Sequence, residues 1–315
     1  MSSNYSVPAA IAYLMVFIGV LGHASSEFFT VLSGVQGAEV SVWRYVIGAA
    51  GLLIAAIIFS GFDKLAAPLR ESALKVVLLS LFGVSLPYLA FHWALDYASI
   101  VQVGTLVTTI PIFVGLCNLL INKQPFSAPK IVTGAAAVAG VVLLITDGYL
   151  AQLAGSSNSL FGVMLAIACA FGGSAYAVLA KPYITRHGAL AFTSVSMSIG
   201  AVGLWVIVGL FWDIWVNPTE LFEKPPVAAW SLLVLGIWNT TITQILWFGG
   251  LAAVPDITRG SYLFFLKPVI TAGLALIVLS QPISLMQTLA ILIICGAVIV
   301  ELAWPKISRA WTVRA

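Results

Sequence analysis

Apolar residues fill this chain in stretches of about twenty, separated by short polar joints, and that rhythm sets the first expectation. Ten such segments stand at roughly 8–33, 41–60, 74–95, 100–121, 128–147, 160–184, 191–215, 228–252, 259–279 and 284–304. At about 1.5 Å of rise per residue, a helix of about twenty residues crosses the ~30 Å hydrocarbon core of a bilayer. The short alternating segments of a membrane barrel do not occur. The pattern therefore predicts an all-α integral membrane protein with ten transmembrane helices. Several joints span only a few residues, which makes sequence neighbours antiparallel hairpins. The longer connections, around 61–73, 148–159 and 216–227, carry the Gly, Ser, Pro and charge of loops. None is long enough to form a separate soluble domain.

Composition agrees with this. The chain is 61% hydrophobic and only 8% charged, against about 25% charged in soluble domains, and its mean hydropathy is +1.08. The net charge of +3 is spread without a basic stripe, so no nucleic-acid partner is expected. The opening residues MSSNYSVP lack a basic n-region, and the first segment is expected to be retained as a helix. Cys117, Cys169 and Cys295 lie inside apolar runs without metal spacing, so neither a metal site nor a disulfide framework is expected. With the N-terminus on one side, loops and helix ends on that side receive eleven of the fourteen Lys and Arg. Arg44 and Lys224 fall on the other side and Lys267 inside the membrane. This bias places both termini in the cytoplasm.

The chain also repeats itself. Pro111, Gln124-Pro125 and Ser127 recur as Pro268, Gln281-Pro282 and Ser284, each 157 residues later, about half the chain. The expected units are a first five-helix repeat over 1–150, a second over 151–305, and a short basic cytoplasmic tail over 306–315. Five helices is an odd number, so the second unit enters the membrane upside down. Such inverted-topology repeats are used by many secondary transporters around a midplane site.

Candidate chemistry follows from depth. Lys267 stands about 12 Å into its segment, near the midplane, with no acid at that depth, and a charge there marks a wet cavity or a bundle interior. Pro268 predicts a kink or opened turn beside it, as Pro87 and Pro111 do in the third and fourth segments. In the eighth segment Trp238, Asn239 and Gln244 place amides and an indole in the membrane. Either they bond between helices or they line a site. Tyr88, Trp93, Trp238, Trp247 and Tyr262 are expected to converge as an aromatic lining. His92, one turn beyond Tyr88, is a substrate or proton-carrier candidate, and His23 is a second proton carrier. Glu27 and Arg44, placed near the outer ends of their segments, are expected to pair as a gate. Small residues in the fifth and tenth segments, Gly134, Gly140 and Gly296 among them, are assigned to packing, including that of a homodimer.

Ten helices, a 5+5 inverted duplication and the Pro…Gln-Pro-x-Ser pattern together resemble the drug/metabolite transporter superfamily, in particular its ten-helix EamA-type metabolite exporters. The resemblance covers about residues 8–304. It implies a multi-pass protein of the plasma membrane, the bacterial inner membrane, that exports a small molecule, and the aromatic amino-acid exporters are the most similar branch. The family often has Glu where Gln124 and Gln281 stand, which removes an acid-dependent role there. It often has an acid or neutral residue where Lys267 precedes the proline, and the lysine implies a substrate with a carboxylate or phosphate. Other classes have less in their favour. The segments hold no paired carboxylates, metal cluster or Ser/His/Asp set for an enzyme. They hold no filter sequence for a channel and no phosphate loop for ATP, which leaves a passive facilitator, or an exporter of another small anionic metabolite or drug, as the alternatives. No cofactor is expected.

Overall fold

The computed structural model describes residues 7–35, 37–98, 100–125, 127–147, 159–279 and 283–312. Gln281 and Pro282 of the repeat pattern, Ala315 and the side chain of Glu27 lie outside the described residues, so the expected Glu27–Arg44 pair does too.

Every regular element among the described residues is helical. The chain runs α1 (Ala9–Ser33), α2 (Gly37–Phe59) and α3 (Phe62–Ser80), then α4 (Leu86–Ala94), α5 (Ile100–Thr108), α6 (Ile110–Asn122) and α7 (Ala128–Thr146). It continues through α8 (Ser159–His187), α9 (Ala189–Trp212), α10 (Pro226–Gly236), α11 (Thr243–Ala253), α12 (Ile257–Ser261), α13 (Lys267–Leu279) and α14 (Leu285–Thr312). Among the described residues, eight helical runs are long and apolar enough to cross a membrane. Two expected spans are instead broken. The fourth divides into α5 and α6 at Thr109, just before Pro111. The ninth divides into α12, a 3-10 turn over Tyr262–Leu266, and α13 with Pro268 in its first turn.

Two boundaries differ from the hydropathy pattern. The stretch expected as a loop around 61–73 is helical from Phe62, bent at Ser72 (φ −161°, ψ 74°), with Leu65 and Pro68 tucked inward. Its polar residues mark an exposed face of a helix, not a loop. At the other end α14 continues through Pro305 to Thr312, beyond the segment end expected at 304.

The third and eighth segments each carry a π-helical turn, Leu81–Ser85 between α3 and α4, and Ile237–Ile242 between α10 and α11. The two turns are separated by nearly the same half-chain interval as Pro111 and Pro268. A π-turn widens the helix and weakens its ladder, and such turns concentrate at functional sites. In the second turn, threonines offset this. Thr240, Thr241 and Thr243 each donate to the carbonyl five residues back, on Leu235, Gly236 and Trp238, at 2.9, 3.2 and 2.7 Å.

Each wide turn needs a partner without side chains. Gly48 and Gly51 of α2 receive the second π-turn, where an added Cβ would sit 2.4 Å from Thr240 Cγ2 or Thr241 Oγ1. Gly200 and Gly203 of α9 receive the first, where it would sit 2.5 Å from Val84 Cγ1 or Leu81 Cδ2. Hydroxyls tie the same contacts. Thr241 Oγ1 donates to Gly48 O at 2.9 Å, and Ser85 Oγ donates to Gly200 O at 2.7 Å. Elsewhere α7 lies along α14, where a Cβ on Gly140 would sit 2.8 Å from Ile294 Cγ1. At least that small residue of the fifth segment serves packing within the chain.

Overpacking at these contacts costs about 1–3 kcal/mol. Gly200→Val is expected to lower the melting temperature in detergent by several degrees. Gly296→Val, where a Cβ meets nothing within 4 Å among the described residues, is the control and leaves it unchanged. Differential scanning fluorimetry on the two purified variants checks this.

Candidate functional site

A cavity of about 70 Å³ lies where the two halves of the chain meet. The first half supplies His23 and Ser26 from α1, Arg44 from α2, Pro87, Tyr88 and Phe91 from α4, Val107 from α5, and Ile110 and Val114 from α6. The second half supplies Cys169, Gly173 and Ala177 from α8, Trp247 and Phe248 from α11, Phe264 from the 3-10 turn, and Lys267 from α13. The wall is mostly aromatic and aliphatic, with its polar groups concentrated on His23, Ser26, Arg44, Tyr88 and Lys267. Seventy cubic ångströms is room for a few waters or one small polar group.

Local geometry decides which expected residues arrive there. A 3-10 turn has about three residues per turn, so residues i and i+3 share a face. Phe264 and Lys267 therefore point together into the cavity. Lys267 is only 7% exposed, with Nζ 5.9 Å from the centre of the Phe91 ring. Tyr262 and Phe265 share the opposite face, with ring centres 5.4 Å apart. Tyr262 Oη donates to Lys130 O beside Gly134 on α7. The expected place of Tyr262 at the site is thus corrected, because the turn's tighter winding rotates it away.

Arg44 is corrected in the other direction. Expected as an outer gate, it is 3% exposed and lines the cavity. Its helix begins at Gly37, before the apolar run, which sets Arg44 about two turns in. Its Nε donates to Thr240 Oγ1 at 3.1 Å and its Nη2 to Asn239 O at 2.9 Å.

The eighth-segment polar run supports the cavity from behind. Asn239 Nδ2 donates to Gly22 O at 2.6 Å and Ser25 Oγ at 2.9 Å, and Trp238 Nε1 donates to Ser25 Oγ at 3.0 Å. Gln244 Nε2 donates to Tyr88 Oη at 2.8 Å and Tyr45 Oη at 3.2 Å, fixing the cavity's tyrosine. None of Trp238, Asn239 and Gln244 lines the cavity. His92 does not either. It is buried toward α2, with Nδ1 2.6 Å from Ser41 Oγ and 3.0 Å from Tyr88 O. His23 does line it, edge-on to Trp247 and Phe264, with Nε2 buried and without a hydrogen-bond partner among the described residues. Of the expected aromatic set, Tyr88 and Trp247 arrive, while Trp93 packs against Phe161 and Trp212. Phe91, Phe248 and Phe264 were missed. Phe91 was findable from its three-residue spacing to Tyr88 on one helix face.

A wider apolar groove of about 790 Å³ lies between α3–α4 and α8. Pro87 borders both spaces, with its ring against Gly172. Among the described residues the groove has only Lys75 as a charged wall residue, so the charged groups gather in the smaller chamber.

An ion-pair network at the Arg259 end of the ninth segment was also missed. Lys130 Nζ lies 2.6 Å from Asp256, whose Oδ1 accepts from Arg259 N at 3.1 Å and so caps α12. Arg259 Nε donates to fully buried Glu301 at 2.9 Å, and Thr133 Oγ1 donates to it at 3.0 Å. Burial pushes the Asp256 carboxyl up, but Lys130 and the Arg259 N–H outweigh it and hold the group below its ordinary 3.8.

Comparison with known proteins gives one consistent class. The model of the EamA-like transporter family matches residues 10–146 and again 160–302. The chain is 27% identical to the uncharacterized transporter YyaM of Bacillus subtilis (strain 168), over 81% of each chain. It is 25% identical to the uncharacterized transporter YetK of the same organism, over 84% of this chain and 77% of that one. A protein known from a crystal structure superposes with a TM-score of 0.78 at 19% identity, covering 94% of this chain and 97% of that one, a likeness of fold.

Removing one partner of a buried ion pair costs about 3 kcal/mol or more. Glu301→Leu is therefore expected to melt well below wild type, and Glu71→Leu, at the exposed pair with Arg186, close to it. For Asp256 the sign follows from its lowered value. Its stabilisation is complete above the unfolded-state value and is lost as pH falls through the folded one. The melting difference between wild type and Asp256→Asn should stay flat from about pH 7 to about pH 5 and shrink only below 3.8.

Proposed function

Because this chain belongs to the EamA-like transporter family, we propose that it is a secondary transporter that exports a small carboxylate-bearing metabolite by alternating access. Amino acids with aromatic or apolar side chains are the first substrates to test, and another small anionic metabolite is the alternative. The observation that carries this is the small cavity between the halves, with Arg44 and Lys267 in one aromatic wall. A charge taken this deep into a membrane bundle is costly and marks a solute path. Lys267 supplies a point charge with three rotatable donors, suited to an anion that must be released again. The aromatic wall suits an apolar side chain.

The rest of the proposal concerns topology. Ten helices as two five-helix units of opposite orientation, with both termini in the cytoplasm of a bacterial inner membrane, are supported by the double family match. The matched π-turns on matched glycine pairs support them as well. The broken fourth and ninth segments are the kind of discontinuous helices that build midplane sites in such repeats.

Counterflow in proteoliposomes tests the function. A transporter accelerates exchange of a labelled solute, a channel does not, and an enzyme releases a new compound. The expected result is exchange by wild type, abolished by Lys267→Met with normal expression and partly kept by Lys267→Arg. Wild-type exchange by a well-folded Lys267→Met protein would sink Lys267 as the anchor.

A further inference from the structure

The cavity holds a second cation that differs from Lys267 in kind. Arg44 presents a planar guanidinium with five N–H donors. Two are committed, Nε to Thr240 Oγ1 and Nη2 to Asn239 O. Both acceptors belong to the π-turn of the eighth segment, in the opposite half of the chain. Among the described residues, Nη1 has no hydrogen-bond partner, and Arg44 is part of the cavity wall. The Tyr45 ring, 5.8 Å from Cζ, flanks the guanidinium. A guanidinium held at two points has a fixed plane, and little freedom remains to be lost when it takes a further partner. Planar, paired donors at fixed orientation match the two oxygens of a carboxylate, which a lysine cannot imitate.

From this geometry we infer that Arg44 is the residue that recognises the solute's carboxylate, and that Thr240 is a positioning residue that aims it. The inference rests on the transport reading above and names the recognising group within it. Lys267 then anchors the anion as a point charge, and Arg44 fixes its orientation. Binding is also felt in the eighth segment, because the group that takes the carboxylate is the group that grips the π-turn. The solute must carry a planar anionic group, and its uncharged primary amide should be refused. The amide keeps one acceptor oxygen but puts two donors against a donor.

The experiment uses the full-length protein in proteoliposomes and labelled L-phenylalanine, L-leucine and 3-phenylpropionate as probes. Whichever of these wild type exchanges is then competed with its own primary amide. The amide is expected to compete at least about tenfold more weakly than the acid, a measurement that needs no variant. Arg44→Lys keeps the charge and removes the fork, and should raise KM at least about tenfold. Thr240→Val removes the acceptor of Nε with little change of shape, and should raise KM severalfold with the maximal rate nearly kept. Thr240→Ser restores the hydroxyl and should return KM to wild type, which a loss of packing would not. Exchange with unchanged KM in Arg44→Lys, or an amide that competes as well as the acid, overturns the role of Arg44 and leaves the transporter intact. Absence of exchange of all three probes by wild type overturns the carboxylate-transport reading, and this inference with it.

Discussion

A guanidinium buried in a membrane bundle must find acceptors within the protein, because hydrocarbon offers none. Arg44 finds them on Thr240 and on the Asn239 carbonyl, across the boundary between the two halves. Much of the interior follows from that bond. It needs the second π-turn close to α2, which requires glycine at positions 48 and 51. It orients the Asn239 peptide, whose side chain then reaches Gly22 and Ser25 on α1. That in turn sets α1 so that His23 and Ser26 face the cavity. A charge, a widened turn and two small residues thus form one unit, and changing any of them disturbs the others.

The fold was legible because the bilayer imposes it. Apolar runs of the right length predict helices, and the prolines at 111 and 268 mark where the fourth and ninth segments break, because both signals act along the chain. The site was less legible because it depends on rotation about each helix axis, which hydropathy does not carry. A deep charge has few explanations, and Lys267 does lie in the cavity wall. Tyr262 was misplaced because five residues of 3-10 winding rotate a side chain differently from five residues of α-helix. Arg44 was misplaced because the apolar run was taken as the helix, whereas α2 starts at Gly37. His92 shares a face with Tyr88 in an ideal helix, yet it turns to Ser41, a residue whose position no local pattern announces.

The eighth-segment polar run shows how one signal divides between two tasks. Trp238, Asn239 and Gln244 were expected either at the site or between helices, and the geometry puts all three in the second role. Their bonds still reach the site, since Gln244 holds Tyr88 and Asn239 O holds Arg44. Amide groups suit this work because each offers donors and an acceptor at once. A polar residue within a membrane segment therefore marks the neighbourhood of a site more reliably than its wall.

The π-turns raise a question of cost, since a loosened backbone in a low-dielectric interior exposes carbonyls that want donors. The two turns answer it differently. In the eighth segment the threonines return their hydroxyls to carbonyls five residues back, and Thr241 also reaches Gly48 O on α2, while Asn239 and Trp238 donate to α1 at Gly22 and Ser25. In the third segment Ser85 donates outward to Gly200, and Ser80 reaches Ser196 on the same helix, so that turn is tied to α9. The second turn is thus held both by its own hydroxyls and by bonds to two helices of the opposite half, with the Arg44 guanidinium among the ties. A change at that guanidinium is therefore passed through one turn to both α1 and α2.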